Sequence, residues 1–394
     1  MFAARRYATV LPLLSIGAFA ALTACGGGGG GGGPTLPPGT APGVTPSAAP
    51  SSSPSSAPSS APATPVPSGE KLVIAGKSAN LSTGQMVGQL TVFPVGAAQP
   101  QATYPPAGQK NAAFAPVAVA VDTNGNAFAL DTQSDAALEF APPYTGVPLV
   151  VAGSGSTTPV SLAISSQNVL FVSIQALFAS SGVSQAVRMY ASPYMTEVDL
   201  PIPSGTHFAP TCLALDGQGD LFATNAEQFS GDPGTLEYTP PYTGTPTAFA
   251  FGGAGSVGSF QGANCAVDTA SGELFIGYSS TIAAYAPPYT GAATVISEGA
   301  LNSGMMAVSS VNHDLFVANG ATVDVYAPPY TSKVATVSSG VSQPDLVTVD
   351  ATGNLFVAST YNGTVTEYAP PYTGAPAWTA SGFETVGTAL TVVP

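Results

Sequence analysis

From Glu70 to the C-terminus, short runs of apolar and β-branched residues alternate with clusters of Gly, Asn, Asp, Ser and Pro. This is the texture of strands joined by tight turns. The last unit shows the pattern most clearly. Residues 346–349 read as a first strand, 350–354 as a turn, and 355–358 as a second strand. Residues 361–363 turn the chain into a third strand at 364–368, and 370–374 turn it into a fourth at 377–380. Four strands and three tight turns predict one antiparallel sheet, and long amphipathic helices are hard to find anywhere in the chain.

The unit recurs. Its third strand ends in EFAPPYTG from Glu139, MYASPYMT from Met189, EYTPPYTG from Glu237, AYAPPYTG from Ala284, VYAPPYTS from Val325 and EYAPPYTG from Glu367. The second strands share Phe128, Phe171, Phe222, Phe275, Phe316 and Phe356, so a stacked aromatic core is expected. The later motif tyrosines, Tyr144, Tyr194, Tyr242, Tyr289, Tyr330 and Tyr372, lie 50, 48, 47, 41 and 42 residues apart. A four-stranded repeat of that period predicts a β-propeller. Near the N-terminus, 72–75, 89–93 and 101–104 supply second, third and fourth strands with no first, whereas 388–393 reads as a first strand with nothing after it. Together they make one composite blade that closes the ring and removes open sheet edges. The expected fold is therefore all-β, a seven-bladed propeller of four-stranded antiparallel blades, with six or eight blades as the alternative.

The segment D-x-x-G-N-L-F-V, Asp350 to Val357, resembles the NHL-type and gluconolactonase-like propeller repeats of bacterial exported proteins. The resemblance covers about 320 residues, specifies fold, and leaves function open, because one fold hosts many roles.

Arg5 and Arg6 precede an apolar run from Val10 to Ala21 that is too short to span a bilayer and reads as a secretory signal. It ends in Leu22-Thr23-Ala24-Cys25, which resembles the lipobox of bacterial lipoproteins. The resemblance implies cleavage after residue 24 and lipidation of Cys25, giving a partner in the membrane and a place in the cell envelope or at the cell surface. Eight glycines and then Pro, Ser, Ala and Thr dominate to Ser68. Such composition buries little and predicts a disordered tether. The expected domains are a signal peptide at 1–24, a lipid-anchored tether at 25–69 and the propeller at 70–394.

Twenty-one acids stand against seven bases. That balance disfavours nucleic acid and bare anionic lipid as partners and suits a soluble, monomeric exported domain. The turn acids Asp122, Asp216, Asp268 and Asp350 suit backbone capping, and Ser165 and Ser309 replace them in two units. The histidines are His207 and His313 alone, so no His-rich metal site is expected; His313 reads as a solvated turn residue. Cys212 lies four residues before its turn acid and Cys265 three before its own, which aims them at opposite sheet faces. Free thiols are expected there, with a disulfide as the alternative. No catalytic motif, metal site or cofactor is expected: Gly253–Gly258 matches G-x-G-x-x-G but leads into a strand rather than a helix.

Two connections between second and third strands are long. Phe178, Glu227, Gln228, Phe229 and Asp232 in them, with His207, are the candidate ligand contacts. The six motif tyrosines are a candidate aromatic ring, although the motif's position favours a structural turn with the tyrosine hydroxyl in water. The expected function is a tethered, non-catalytic platform for a protein, a glycan or another envelope component. The alternative is a sugar lactone hydrolase or lyase acting at the channel mouth.

Overall fold

A computed structural model describes residues 69–79, 86–105, 114–153, 158–175, 186–206, 208–225, 234–249, 264–277, 281–297, 306–359, 362–383 and 386–393. Its described strands form seven four-stranded antiparallel sheets, each a blade. Blade 1 has the order β28 (Val386–Val393), β1 (Lys71–Ala79), β2 (Met86–Pro94), β3 (Ala102–Tyr104). The C-terminal strand thus supplies the first strand of the N-terminal blade, with Lys71 opposite Val393 and Ala75 opposite Ala389.

The other blades follow chain order. Blade 2 runs from β4 (Pro116–Val121) to β7 (Leu149–Gly153) and blade 3 from β8 (Thr158–Ile164) to β11 (Glu197–Asp199). Blade 4 comprises β12 (Pro210–Leu215), β13 (Leu221–Asn225), β14 (Thr235–Tyr238) and β15 (Thr247–Phe249). Blade 5 comprises β16 (Asn264–Val267), β17 (Leu274–Gly277), β18 (Thr281–Tyr285) and β19 (Thr294–Ser297). Blade 6 runs from β20 (Met306–Val308) to β23 (Lys333–Val337) and blade 7 from β24 (Pro344–Val349) to β27 (Trp378–Ser381).

Each first strand touches the first strands of both neighbouring blades, in the closed cycle β4, β8, β12, β16, β20, β24, β28. The first strands therefore surround a central channel and the fourth strands form the rim. First strands run from the connections between blades towards the Asp turns. One face of the disc, the turn face, carries the Asp turns and the motif turns; the other, the loop face, carries the connections between blades. Lys71 starts a second strand, so the chain comes into the ring at the turn face.

Cohesion comes from blades stacked sheet to sheet. The six shared phenylalanines are fully buried. Burying each contributes on the order of 1.5–3 kcal/mol. Alternation along a strand sends neighbouring side chains to different blades. In β13, Phe222 packs with Leu274, Ile276 and Tyr289 of blade 5, whereas Leu221 and Ala223 pack with Phe171 and Val187 of blade 3.

That stacking corrects the expected state of the cysteines. Cys212 and Cys265 form a disulfide, with Cα atoms 5.9 Å apart. Cys212 pairs with Thr224, which shares the Phe222 face and so looks towards blade 5; Cys265 pairs with Ile276, which looks back towards blade 4. The two do occupy opposite faces of their own sheets. Because those are the faces that meet between consecutive blades, opposite placement permits the bond.

Candidate functional site

The recurring polar residues are built into the turn face. Asp122 Oδ1 accepts the backbone N–H groups of Asn124 at 2.9 Å and Asn126 at 2.7 Å. Asp350 repeats this with Thr352 and Asn354, both at 2.8 Å. In blade 3 Ser165 takes the same place, its Oγ accepting from the N–H of Val169 at 3.1 Å. A short side-chain oxygen at the end of the first strand satisfies two donors that a tight turn leaves unpaired.

The motif tyrosines lock these turns. The hydroxyls of Tyr144, Tyr242 and Tyr372 donate to the carbonyls of Gly125, Gly219 and Gly353 at 2.7, 2.7 and 2.8 Å. Tyr289 does the same to Gly272 at 2.6 Å and Tyr330 to the His313 carbonyl at 2.8 Å. The rings of Tyr194, Tyr242, Tyr289, Tyr330 and Tyr372 lie edge-on against the second-strand phenylalanine of the preceding blade. The pairs are Phe128–Tyr194, Phe171–Tyr242, Phe222–Tyr289, Phe275–Tyr330 and Phe316–Tyr372, with centroids 4.8–5.3 Å apart. Five of the six tyrosines are buried and Tyr289 is half-buried. The hydroxyls of Tyr144, Tyr242, Tyr289, Tyr330 and Tyr372 thus bind protein rather than water, which fits the structural turn that the motif's position favours. All six tyrosines take a positive φ, 60–67°.

His313 also reaches across. In blade 6 it stands where other turns have glycine, with φ 62°, and its Nδ1 lies 2.5 Å from Oδ2 of Asp268 on blade 5. Asp268 is fully buried and also accepts from the Ser271 hydroxyl at 2.7 Å. Burial by itself would raise the Asp268 pKa, but the bonds from Ser271, His313 and the Ala270 N–H outweigh it and hold the carboxyl below its ordinary value. His313 is therefore a partner of the neighbouring turn and not a freely solvated residue. Asn168 and Asn312 make similar crossings, to Thr123 of blade 2 and Tyr372 of blade 7.

The other perturbed carboxyls shift upward. Burial first, and then a neighbouring acid, raise Glu139 beside Asp122, Asp220 beside Asp216, and Glu367 beside Asp350 and Glu70. Glu237 and Glu273 rise for the same two reasons, and Asp314 and Asp345 through burial. A carboxyl whose pKa is raised on folding holds its proton more tightly in the native state. Its contribution is complete below the unfolded value and is lost as pH rises through the folded value. Asp268 has the opposite sign. With seven groups raised and one lowered, the melting temperature should fall as pH is raised from about 4.5 towards neutrality. Thermal melts at constant ionic strength check this, and a melting temperature that climbed over that range would contradict it.

At the loop face a second set of polar residues recurs. Asp131 Oδ1 accepts the Ala115 N–H at 2.7 Å, Asn225 Oδ1 the Ala209 N–H at 2.9 Å, and Ser359 Oγ the Ser342 N–H at 3.1 Å. All three acceptors are buried and tether the incoming connection between blades. The sequence reading missed them, yet the signal is there: each stands three residues after its shared phenylalanine. The first strands carry another regularity. Among the described residues five have a β-bulge, at Val117, Val160, Thr211, Asp345 and Thr388. The first four lie five residues before the acid or serine of the turn.

The candidate contacts Phe178, His207, Glu227, Gln228, Phe229 and Asp232, and the lipidation candidate Cys25, lie outside the described residues. Among the described residues, no three His, Cys, Asp or Glu side chains gather so as to hold a metal ion.

Architecture and topology define a seven-bladed β-propeller. No protein-family model and no curated protein sequence matches the chain. Solved structures do. Apo AztD from Citrobacter koseri superposes with a TM-score of 0.56 at 9% identity, covering 82% of this chain and 98% of that one. A streptogramin B lyase gives 0.50 at 10% identity over 74% and 91%. A virginiamycin B lyase from Staphylococcus aureus gives 0.48 at 10% identity over 65% and 81%. At such identities the likeness is one of fold.

Proposed function

We propose that this chain is an exported, membrane-tethered NHL-type propeller that acts as a non-catalytic binding platform for a protein, a glycan or another envelope component. One observation carries the reading. The polar and aromatic side chains that recur from blade to blade are engaged in the protein's own turns and clasps, which leaves the repeat as a scaffold. The signal-like N-terminus, the small residues before Cys25 and the Gly/Pro-rich stretch that follows support export and anchoring. The Cys212–Cys265 disulfide supports an oxidising compartment. Glu70, which precedes β1, lies at the turn face of the ring.

Fractionation of cells expressing the full chain tests the anchoring. The wild-type chain is expected in the membrane fraction and Cys25→Ser in the soluble fraction; a Cys25→Ser variant that stays with the membrane sinks the lipoprotein reading. Turnover of a sugar lactone by the purified protein would sink the non-catalytic part.

A further inference from the structure

Three asparagines stand directly before a glycine: Asn124, Asn319 and Asn362. At such a step the side-chain amide and the next backbone nitrogen can close a succinimide ring, because glycine has no Cβ to obstruct the approach. The fold holds the three amides differently. Asn124 lies in the Asp122 turn, where its Nδ2 turns back to Asp122 Oδ2 at 3.4 Å and the Gly125 N–H is committed to the Asp122 carbonyl at 3.0 Å. Asn319 is half-buried, and its Nδ2 reaches across the blade 6 hairpin to Asp324 Oδ2 at 3.2 Å. Each of these two amides is anchored to a carboxylate.

Asn362 is held in another way. It is exposed in the loop-face turn between β25 (Leu355–Ser359) and β26 (Thr364–Tyr368), and its Oδ1 accepts the Thr364 hydroxyl at 2.6 Å. To meet a side chain two residues ahead, the amide lies forward along the chain, on the side of the Gly363 nitrogen with which it would react. The Thr364 bond has a second consequence. Attack on Cγ moves negative charge onto Oδ1, and a hydroxyl already aimed at that oxygen stabilises the charge as it develops. Proximity and an oxyanion donor thus coincide at one of three steps that share the same Asn-Gly chemistry.

We propose that Asn362 is a self-modifying site, which deamidates through Gly363 and turns a neutral residue of the loop face into an acidic one as the protein ages. The Gly363 nitrogen gives its proton to water and bonds to Asn362 Cγ. The Cγ–Nδ2 bond breaks, Nδ2 takes up a proton and leaves as ammonia, and a succinimide remains. Water then adds to either ring carbonyl and opens the ring to aspartate or to isoaspartate, in which the backbone runs through Cγ. No electrons are transferred, and water is the co-reactant. Either product adds a carboxylate to the end of blade 7 that already exposes Asp345. The isoaspartate form also lengthens the chain between Ser359 and Thr364, and Ser359 Oγ is the acceptor at 3.1 Å of the Ser342 N–H that tethers the connection entering blade 7. This chemistry does not depend on what the loop face binds.

Ageing the purified full chain in mildly alkaline buffer made with heavy-oxygen water, followed by peptide mapping with mass spectrometry, tests the proposal. Solvent oxygen should enter residue 362 about tenfold faster than residues 124 and 319, in line with a positioned oxyanion donor. Both aspartate and isoaspartate should appear there, the mark of a succinimide. Thr364→Val, which removes the donor, should slow the reaction at Asn362 several-fold and leave the other two sites as they were. In guanidinium chloride, with the fold removed, the three steps should react at similar rates. Equal rates at the three sites in the folded protein overturn the proposal, and so does aspartate at residue 362 without isoaspartate. A folded Thr364→Val protein that deamidates at the wild-type rate overturns it as well. If that variant fails to fold, the ranking of the three sites in the wild-type chain still decides.

Discussion

Replacing both Cys212 and Cys265 with serine should lower the stability of the propeller by about 4 kcal/mol, the loop-entropy value for a cross-link between residues 53 apart. The bond joins the first strands of blades 4 and 5, at the channel wall. Without it the inner strands of that junction meet only through non-covalent packing, and the connection joining β15 to β16 spans fourteen residues, 250–263. Backbone crowding adds to the sensitivity of the junction: at Gly217 of blade 4 a Cβ atom would lie 2.1 Å from the Thr269 carbonyl of blade 5, so the two turns approach as closely as their chains allow. Urea unfolding with and without a thiol reductant gives the check. The wild-type midpoint should drop on reduction to that of the double serine variant. A double variant that unfolds at the wild-type midpoint in non-reducing buffer would show that stacking alone sustains the junction. Because the cysteines are half-exposed at the wall, reduction should not require prior global unfolding.

The repeat was legible because one physical requirement, a buried phenylalanine followed by a motif tyrosine after a turn acid or serine, is met at a near-constant interval in six blades. The closing of the ring was legible for a related reason: a lone first strand at one end and a blade lacking its first strand at the other would each leave an open edge. What could not be read was the direction of side chains at positions where the backbone is unusual. A Pro-Pro-Tyr-Thr-Gly turn looks exposed, and its prolines are, but a tyrosine at positive φ is rare enough that nothing in the letters announces it. The cysteines show a different kind of shortfall. Alternation gave their faces correctly; the missing step was that in a stack of sheets the partner of one face belongs to the next blade. The bulged residues, by contrast, were available in the sequence at a fixed distance before the turn acid. They were missed because their types, Val, Val, Thr and Asp, vary where the spacing does not.

Tyr372→Ala should destabilise the propeller by about 3–5 kcal/mol, the range for removing a large buried aromatic. The ring lies 4.9 Å from that of Phe316 on blade 6, the hydroxyl donates to the Gly353 carbonyl at 2.8 Å, and Asn312 of blade 6 donates to the same hydroxyl at 3.1 Å. Tyr372→Phe keeps the ring contact and removes both bonds, so a smaller loss of about 1–2 kcal/mol is expected. A third substitution separates packing from backbone. Tyr372 has φ 63°, a conformation that costs an L-residue roughly 1–2 kcal/mol and glycine almost nothing. Tyr372→Gly should therefore be more stable than Tyr372→Ala by about 1 kcal/mol, although it removes more atoms. Denaturant midpoints of the three variants supply the test. If alanine proved as stable as glycine, the turn would have relaxed out of the left-handed conformation, and the tyrosine ring rather than the Pro-Pro segment would be what holds it there. If phenylalanine matched the wild type, the hydroxyl bonds would be dispensable and the clasp would be an aromatic contact alone. The expected order, with wild type above Phe, Phe above Gly and Gly above Ala, requires ring, hydroxyl and backbone to act together at the junction between blades.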